Sequence, residues 1–363
     1  MKKVLHVVKW AWAWLNIAVC VWLLAAAWGV YVSPAKCSWL MPLCLSLPVP
    51  LVLAVAFLVF WLVVKWKFCF ISLVSLLLVF PSIRTYCPVN LPDPHPKGAL
   101  HVMTWNVKGF GVSAKVNEEM TAYLLKRDPD ILCMQEHVFG RYGAAGKKVV
   151  EDMKHWPYQH ELSIAPENSL ALYSKYPLVG VDTIQQNFHL HGAAAYWLKV
   201  GRDTVVVVNC HLVSNSVGPE DMAMMDDLTE SVKGGERSAR QKAADFLRVV
   251  GKVSQTAGPR ALQADTIAAY IAGLPKSVPV VVCGDFNDSP NSYAHYRIGR
   301  NLADCYVASG LGPGISFNTA PFYFRLDNIL CSTRWKATDA RVDKSMTCSD
   351  HYPLETYLQL REP

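Results

Sequence analysis

Neither aspartate nor glutamate occurs in the first 83 residues of this 363-residue chain; all 29 acidic residues come later. Bases are scarce there as well, limited to six lysines: Lys2, Lys3, Lys9, Lys36, Lys65 and Lys67. The other 29 of the 35 strong bases equal the acids in number, so the net charge of +6 belongs to the first segment and the rest of the chain is formally neutral. Only 18% of all residues are charged, against about 25% in an ordinary soluble domain. That deficit, with 52% apolar residues, excludes a disordered chain and a polybasic nucleic-acid scaffold and argues against a wholly soluble enzyme. The 11 cysteines include no Cys-x-x-Cys pair and no Cys/His spacing of a zinc site. No internal repeat is visible.

What the first segment does have is apolar length. Residues 10–32 form an uncharged run of 23 residues, enough for a helix rising about 1.5 Å per residue to cross a hydrocarbon core of about 30 Å. A second run, 39–64, carries Pro42, Pro48 and Pro50 in its first half, so its spanning part is expected at 43–64. A third covers residues 68–83 and is short for a span. The expectation is an anchor over residues 1–83 with about three transmembrane helices, near 10–32, 43–64 and 68–83. A cleaved signal peptide would explain the lysine-rich start, but not the further apolar runs. Eight of the 12 tryptophans lie in this segment, several near the ends of runs, as interfacial aromatics do. The lysine asymmetry puts Lys2, Lys3, Lys9, Lys65 and Lys67 on the cytoplasmic side. Three spans would then place the remainder outside the cytoplasm, at a periplasmic or external face; a re-entrant third run would leave it inside. Residues 84–98, with four prolines, read as a semi-rigid linker, followed by one domain over 99–363.

In that domain, short β-rich runs alternate with turns and a few helices. Strands are expected at 100–107, 130–136, 169–174, 193–200, 204–212, 278–288, 326–332 and 352–360, and helices at 235–256 and 261–274. The tight-turn signal Gly201-Arg202-Asp203 makes 193–200 and 204–212 a hairpin. Such a pattern suits two packed sheets with helices outside, an α+β architecture. Cys133, Cys210, Cys283 and Cys331 sit inside apolar strand patterns and are read as buried thiols.

Polar residues appear where these strands end: Asn106, Glu136, Asn209, His211, Asp285, Asn287, Asp327, Asp350 and His351. Strand ends gathered on one rim would bring together four carboxylates, two histidines and three amides. Acids so close repel unless a hard cation neutralises them. An oxygen-rich set favours Mg²⁺ or Mn²⁺ over zinc, and such an ion can polarise a phosphoryl oxygen.

The motifs "TWNV" (104–107), "QE" (135–136), "YSKYPL" (173–178), "NCHL" (209–212), "GDFND" (284–288), "RLDNIL" (325–330) and "SDHYPL" (349–354) occur in that order. Together they resemble the endonuclease/exonuclease/phosphatase superfamily, over roughly residues 99–361. Its members include deoxyribonucleases, neutral sphingomyelinases and inositol-phosphate phosphatases. The resemblance implies a four-layer αββα sandwich, two mixed sheets flanked by helices. It also implies in-line attack of water on phosphorus. By this resemblance Glu136 is the principal Mg²⁺ ligand, supported by Asn106, and Asp350 binds the metal or a second cation. Asp285 positions or deprotonates the attacking water, Asn287 holds a phosphate oxygen, and Asn209 joins it in substrate binding. His351 lies beside the scissile phosphate, oriented by Asp327, and His211 is the second histidine that stabilises or protonates the phosphate. Lys175 stands where the motif often has arginine. Tyr173 is expected to pack in the core, and His189 and His191 in an exposed loop with no role.

The expected activity is therefore a membrane-tethered, divalent-metal-dependent phosphodiesterase or phosphatase. A phospholipid or glycolipid head group is favoured, because tethering concentrates the enzyme on membrane-borne substrate. An extracytoplasmic nuclease is the alternative, and a catalytically silent binding module is a third reading. Net neutrality of the domain weakens the nuclease case, since Arg237, Arg240, Lys242 and Arg248 read only as a solvated helix face. Met222, Met224 and Met225, in a long insertion after His211, would cover the site, touch lipid or pack under a short helix. The partners expected are a phosphate ester and the lipid bilayer; no obligate protein partner is implied.

Overall fold

The computed structural model describes residues 2–110, 113–138, 144–165, 168–215, 218, 220–221, 239–320 and 322–361. Met222, Met224, Met225 and Arg237, and the side chain of Lys242, lie outside them.

The N-terminal segment folds as α1 (Lys2–Trp28), α2 (Leu40–Leu45), α3 (Pro48–Val64), α4 (Cys69–Leu78) and α5 (Phe80–Tyr86). Among the described residues one helix, α1 with its continuation to Tyr31, is by itself long and apolar enough to cross a membrane, and a second candidate exists if the bent pair at residues 66–86 is counted as one span. This corrects the expectation of about three spans. Pro42, Pro48 and Pro50 split the second run, and α3, at 17 residues, is about 25 Å long, short of a hydrocarbon core. Pro81, at the head of α5, breaks the third run into a pair bent by 60°. Helices α1, α3 and α4 pack around Leu23, Ala26, Ala54, Phe57 and Trp61. The buried Asn16 of α1 accepts a hydrogen bond from Ser72 Oγ of α4 at 2.9 Å, a polar tie between helices. Outward-facing side chains remain apolar, Val63 being 84% exposed. So much exposed apolar surface marks an interaction with a membrane or another apolar partner.

Beyond the linker, strands β1 (Leu100–Asn106), β2 (Ile131–Gln135), β3 (Tyr158–Ala165) and β4 (Asn168–Ser174) belong to the first sheet. Strands β5 (Leu178–Phe188), β6 (His191–Val200), β7 (Asp203–His211), β8 (Val280–Asp285) and β9 (Ala303–Asp304) belong to the second. β10 (Phe317–Thr319) and β11 (Phe322–Phe324) form a separate ribbon, β12 (Asp327–Cys331) joins the second sheet, and β13 (Trp335–Val342) and β14 (Leu354–Leu360) the first. The sheet orders are β13-β14-β1-β2-β4-β3 and β5-β6-β7-β8-β12-β9. Each is mixed, with one parallel pair, β1/β2 and β7/β8, among antiparallel neighbours. The expected hairpin is β6/β7. The edge strands β3, β5 and β13 were not expected: their half-exposed, polar-rich sequences give little apolar alternation.

Alternation along the strands sorts side chains into layers. Val102, Cys133, Val205, Val207, Val281, Cys283 and Ile329 face the space between the sheets. Met103, Trp105, Leu132 and Met134 face α6 (Ala114–Arg127) and α7 (Ala144–Met153). Val206, Val208, Val280 and Val282 face α8 (Ala239–Gly273) and α9 (Tyr293–Gly299). The two helices expected at 235–256 and 261–274 are one, α8, which continues through Pro259. The helix–sheet–sheet–helix order agrees with the expected sandwich, and α10 (Cys305–Ser309) packs beside it.

On the outer face of the first sheet the Glu355 carboxylate, fully buried, accepts from His101 Nε2 at 2.8 Å, from Arg127 and from Arg341 Nε at 2.6 Å. Burial alone would raise its pKa, but these three donors hold it at about 2. A carboxyl depressed in the folded state contributes stability that is complete above its unfolded value and is lost as pH falls toward 2. The Glu355→Gln protein is expected to be less stable by about 3–5 kcal/mol in urea titrations at neutral pH, with the gap to the parent closing below pH of about 4. Equal stability at neutral pH would show that this cluster does not hold the sheet to α6.

Candidate active site

The same parity that points valines into the inter-sheet core continues to the strand ends. On β7, Val205 and Val207 lead to Asn209 and His211; on β8, Val281 and Cys283 lead to Asp285; β12 begins with Asp327 two residues before Ile329. On the facing sheet, Val102 leads through Thr104 to Asn106, and Cys133 to Gln135. Register then aligns them: His211 is paired with Asp285 across the parallel pair, and Asp285 with Asp327 across the antiparallel one. Three functional side chains thus stand in one row at one rim. Gly284 makes this row possible. Its φ of +142° is a glycine conformation, and a Cβ there would lie 1.9 Å from the Cys210 carbonyl oxygen.

Asp285 is the centre. Its Oδ1 accepts from the Asn287 backbone N–H at 2.8 Å, and its Oδ2 accepts from Asn106 Nδ2 at 3.1 Å. His211 Nε2 and His351 Nε2 face that same Oδ2 at 3.6 and 3.7 Å. Burial would raise the Asp285 pKa, but His351 and His211, with the two hydrogen bonds, hold it below the ordinary carboxylate value. His351 is oriented from behind: its Nδ1 lies 2.7 Å from Asp327 Oδ2, and Trp105 Nε1 donates to its carbonyl at 2.9 Å. Burial disfavours its charge, yet Asp327 and Asp285 outweigh that and lift it to about 10. His351 is therefore an imidazolium clasped by two carboxylates at neutral pH.

Glu136 and Asn287 both adopt left-handed backbone conformations, φ 50° and 49°. Non-glycine residues there carry strain that the surroundings must maintain. The Glu136 carbonyl accepts from Gly109 N–H at 2.7 Å, and Asn287 Nδ2 donates to the Leu212 carbonyl at 2.9 Å. Glu136 Oε1 accepts from Asn106 Nδ2 at 2.9 Å and lies 3.7 Å from His211 Nε2. Asn106 thus bridges Glu136 and Asp285 as a donor, while its own oxygen accepts from the Lys108 N–H.

A cavity of about 200 Å³ opens over this rim, lined by Glu136, Asp285, Asn287, Asp350 and His351 among others. Asp285, Asp327 and His351 offer ligand atoms within 4.8 Å of one another, but these are engaged in the clasp. Glu136, about one-third exposed, has no lysine or arginine partner among the described residues. Asp327 Oδ1 is buried without a hydrogen bond. Three carboxylates against one imidazolium leave an excess of negative charge, so the donor set fits a hard divalent cation with Glu136 as its most available ligand.

Two expected residues have other places. Asn209 does not reach the cleft; its amide donates to the Met134 and Ala171 carbonyls and its oxygen accepts from Gln135, a strut between the sheets. Asp350 lines the mouth but pairs with Lys108 Nζ at 2.6 Å rather than joining Glu136. Tyr173 is in the core, as expected, bonded to His137. His191, expected in an exposed loop, instead begins β6. Its ring meets that of His211 at 4.5 Å, and its Nε2 accepts from Ser214 N–H. Burial, and the neighbouring His211, hold it down at about 4, so it buttresses His211 as a neutral ring. Asn168, at the start of β4, donates to His211 Nδ1 at 3.3 Å. Asp288 pairs with Arg260 of α8 at 3.2 Å beside the cleft. These contacts cross between elements distant in sequence, and only the Asp-Asn-Asp run of 285, 287 and 288 carried a local signal.

A family model described as the Endonuclease/Exonuclease/phosphatase family matches residues 103–351, more than half of the chain. A family described only as a domain of unknown function matches residues 6–86. No curated protein matches. Among solved structures, 72% of the chain aligns with 98% of a truncated Caenorhabditis elegans TDP2 at 16% identity and a TM-score of 0.48. It aligns with 99% of sphingomyelinase C from Streptomyces griseocarneus at 19% identity and a TM-score of 0.46. It also aligns with all of a Bacteroides thetaiotaomicron mannosyl-6-phosphatase at 15% identity and a TM-score of 0.48. With a family model matched from β1 to His351, across both sheets and every residue of the rim, the chain belongs to the endonuclease/exonuclease/phosphatase family, a family of phosphoesterases.

Proposed function

We propose that this protein is a membrane-tethered phosphoric ester hydrolase, dependent on Mg²⁺ or Mn²⁺, that cleaves its ester by in-line attack of water on phosphorus. The observation that carries it is the row His211, Asp285 and Asp327, with His351 clasped above it and Glu136 across the same cleft. Glu136 would hold the metal, which would supply positive charge to a phosphoryl oxygen. Asp285, ionised and facing the cavity, accepts a hydrogen bond from the attacking water and its proton as the P–O bond forms. The His351 imidazolium donates to a non-bridging oxygen and offsets the charge that grows there; Asp327 holds its ring and its charge. His211, fixed by Asn168 and His191, presents its Nε2–H to the same space, where it donates a hydrogen bond to a phosphoryl oxygen, and the leaving oxygen takes its proton from solvent water. Asn287 keeps one amide hydrogen for a phosphate oxygen.

The division is an anchor over residues 1–83, a linker over 84–98 and a catalytic domain over 99–363; α5 carries the helical part on to Tyr86. Tethering through α1 has a consequence for orientation. Asn291, six residues after Asp285, donates to the Ala26 carbonyl at the end of α1 at 3.0 Å, and Tyr31 meets Tyr296 edge-on at 4.8 Å. The domain therefore sits at the end of α1 remote from Lys2, Lys3 and Lys9. With those lysines cytoplasmic, the catalytic domain is extracytoplasmic. A neutral domain at a membrane surface suits a lipid head group better than nucleic acid.

Chelating divalent ions is expected to abolish hydrolysis, and Glu136→Gln to raise the Mg²⁺ concentration giving half-maximal rate, while His351→Ala lowers kcat by about 10²–10⁴. These effects are read from release of para-nitrophenolate from a para-nitrophenyl phosphodiester. Full activity of His351→Ala, or activity unaffected by chelation, would sink the mechanism. Plasmid DNA and phospholipid vesicles offered in parallel test the substrate class, and rapid nicking without lipid turnover reverses the ranking.

In the chelated protein, histidine ¹⁵N NMR is expected to show His351 doubly protonated through neutral pH and losing its proton only near 10. Since its folded pKa lies above the unfolded value of about 6.5, its stabilising contribution is complete below that value and disappears as pH rises through about 10. A neutral His351 ring at pH of about 7 would contradict the clasp.

A further inference from the structure

The catalytic cleft is not built by the domain alone. Met41 and Leu45, both on α2, line it together with Val253 of α8. They pack with Val249, Val253 and Ala257 as a cluster of their own, apart from the three cores of the sandwich. Phe317 and Phe324 of the β10–β11 ribbon, and Leu326 ahead of Asp327, complete the apolar part of the lining. The polar part includes Glu136, Asp285, Asn287, Asp350 and His351. No lysine or arginine is among the described residues lining the cavity, so a polyanionic strand would meet apolar wall where it needs cations.

α2 follows the helix that is long enough to span, after the turns of residues 32–39. Trp28 and Tyr31 at the end of α1, and Trp39 just before α2, are exposed, 62% in the case of Trp39. Aromatic side chains in that arrangement mark the level of a membrane–water interface. The segment is also fastened at both ends beside catalytic residues. Asn291 holds the Ala26 carbonyl, and Arg325, two residues before Asp327, donates to the Thr85 carbonyl at 3.0 Å. The wall of the cleft and the apolar segment are therefore one unit, and the cleft opens beside the interface.

We propose that α2 forms an apolar subsite of the catalytic cleft, and that the substrate is a phosphate ester carrying an alkyl or acyl chain, taken from the bilayer leaflet on which the domain sits. Met41, Leu45, Val253 and Phe317 receive the first part of the chain while the phosphate lies over Asp285 and His351. This rests on the hydrolase reading and narrows its substrate. A wall of buried methionine and partly buried leucine favours an apolar chain in proportion to the area removed from water.

The test compares two probes with the same leaving group, ethyl para-nitrophenyl phosphate and hexadecyl para-nitrophenyl phosphate, the latter in phosphatidylcholine vesicles holding the full-length protein. Met41→Gln keeps the length of the side chain and Leu45→Asn its branching, but each makes the wall polar. Each is expected to lower the ratio of hexadecyl to ethyl turnover, as kcat/KM, by about tenfold, whereas Met41→Leu preserves the ratio. A ratio unchanged in both polar variants, with the parent active on both probes, overturns the subsite and leaves the hydrolase intact. No release from either probe by the parent protein with Mg²⁺ or Mn²⁺ overturns the hydrolase reading itself and the subsite with it.

Discussion

A carboxylate buried between two β-sheets is costly unless donors surround it, and Asp285 is surrounded on every side. One oxygen is held by the backbone of its own loop and the other by Asn106, with two imidazoles standing just beyond hydrogen-bond length. The donors come from both sheets: Asn106 from the first, the histidines from β7 and from the segment before β14. Removing either sheet would leave an uncompensated buried charge. The sandwich and the site are thus mutually dependent, and the thick apolar core below the rim keeps the geometry rigid enough for those distances to hold.

Three of the strained positions lie around the same charge. Glu136 and Asn287 have positive φ, and Gly284 adopts a conformation closed to other residues. Each lies one or two positions from where a strand ends, at the point where the chain must turn sharply to keep a functional side chain over the cleft. The strain is borne by ordinary ladder pairing on either side, from Val281 to Asp285 on β8 and from Ile131 to Gln135 on β2.

The N-terminal segment gives the molecule its second organising feature. Asn291 and Arg325 bind carbonyls of α1 and α5, so the loops bearing catalytic residues and the apolar helices cannot move independently. A phosphoester hydrolase built this way presents its polar floor and an apolar wall in one cavity, an arrangement suited to an ester whose two ends differ as sharply in polarity. Arg325 also shares the buried Asp304 carboxylate with His295, tying the same loop back into the second sheet.

Much of this was legible in the residues. Apolar runs along 203–211 and 280–285 specify buried strands, and Asn106, His211, Asp285 and Asp327 stand out in the sequence as polar residues at strand ends that fall in the ordered motifs of the family. The absence of acids before residue 84 and the length of the first apolar run were equally plain. Edge strands β3, β5 and β13 were not, because a half-exposed strand carries a weak pattern. Prolines signalled breaks in the second apolar run without saying that α3 is too short to cross. A place near a strand end could not distinguish Asn209, one step below the rim and used up as a strut, from His211 at the rim. Nor could it lift His191 out of a loop. Sequence pattern determined which segments are buried strands and which polar side chains stand at their ends, since the apolar run of a strand is a local property; their meeting around one carboxylate, and the approach of α2 to that meeting place, were decided by packing between elements hundreds of residues apart, which no local pattern encodes.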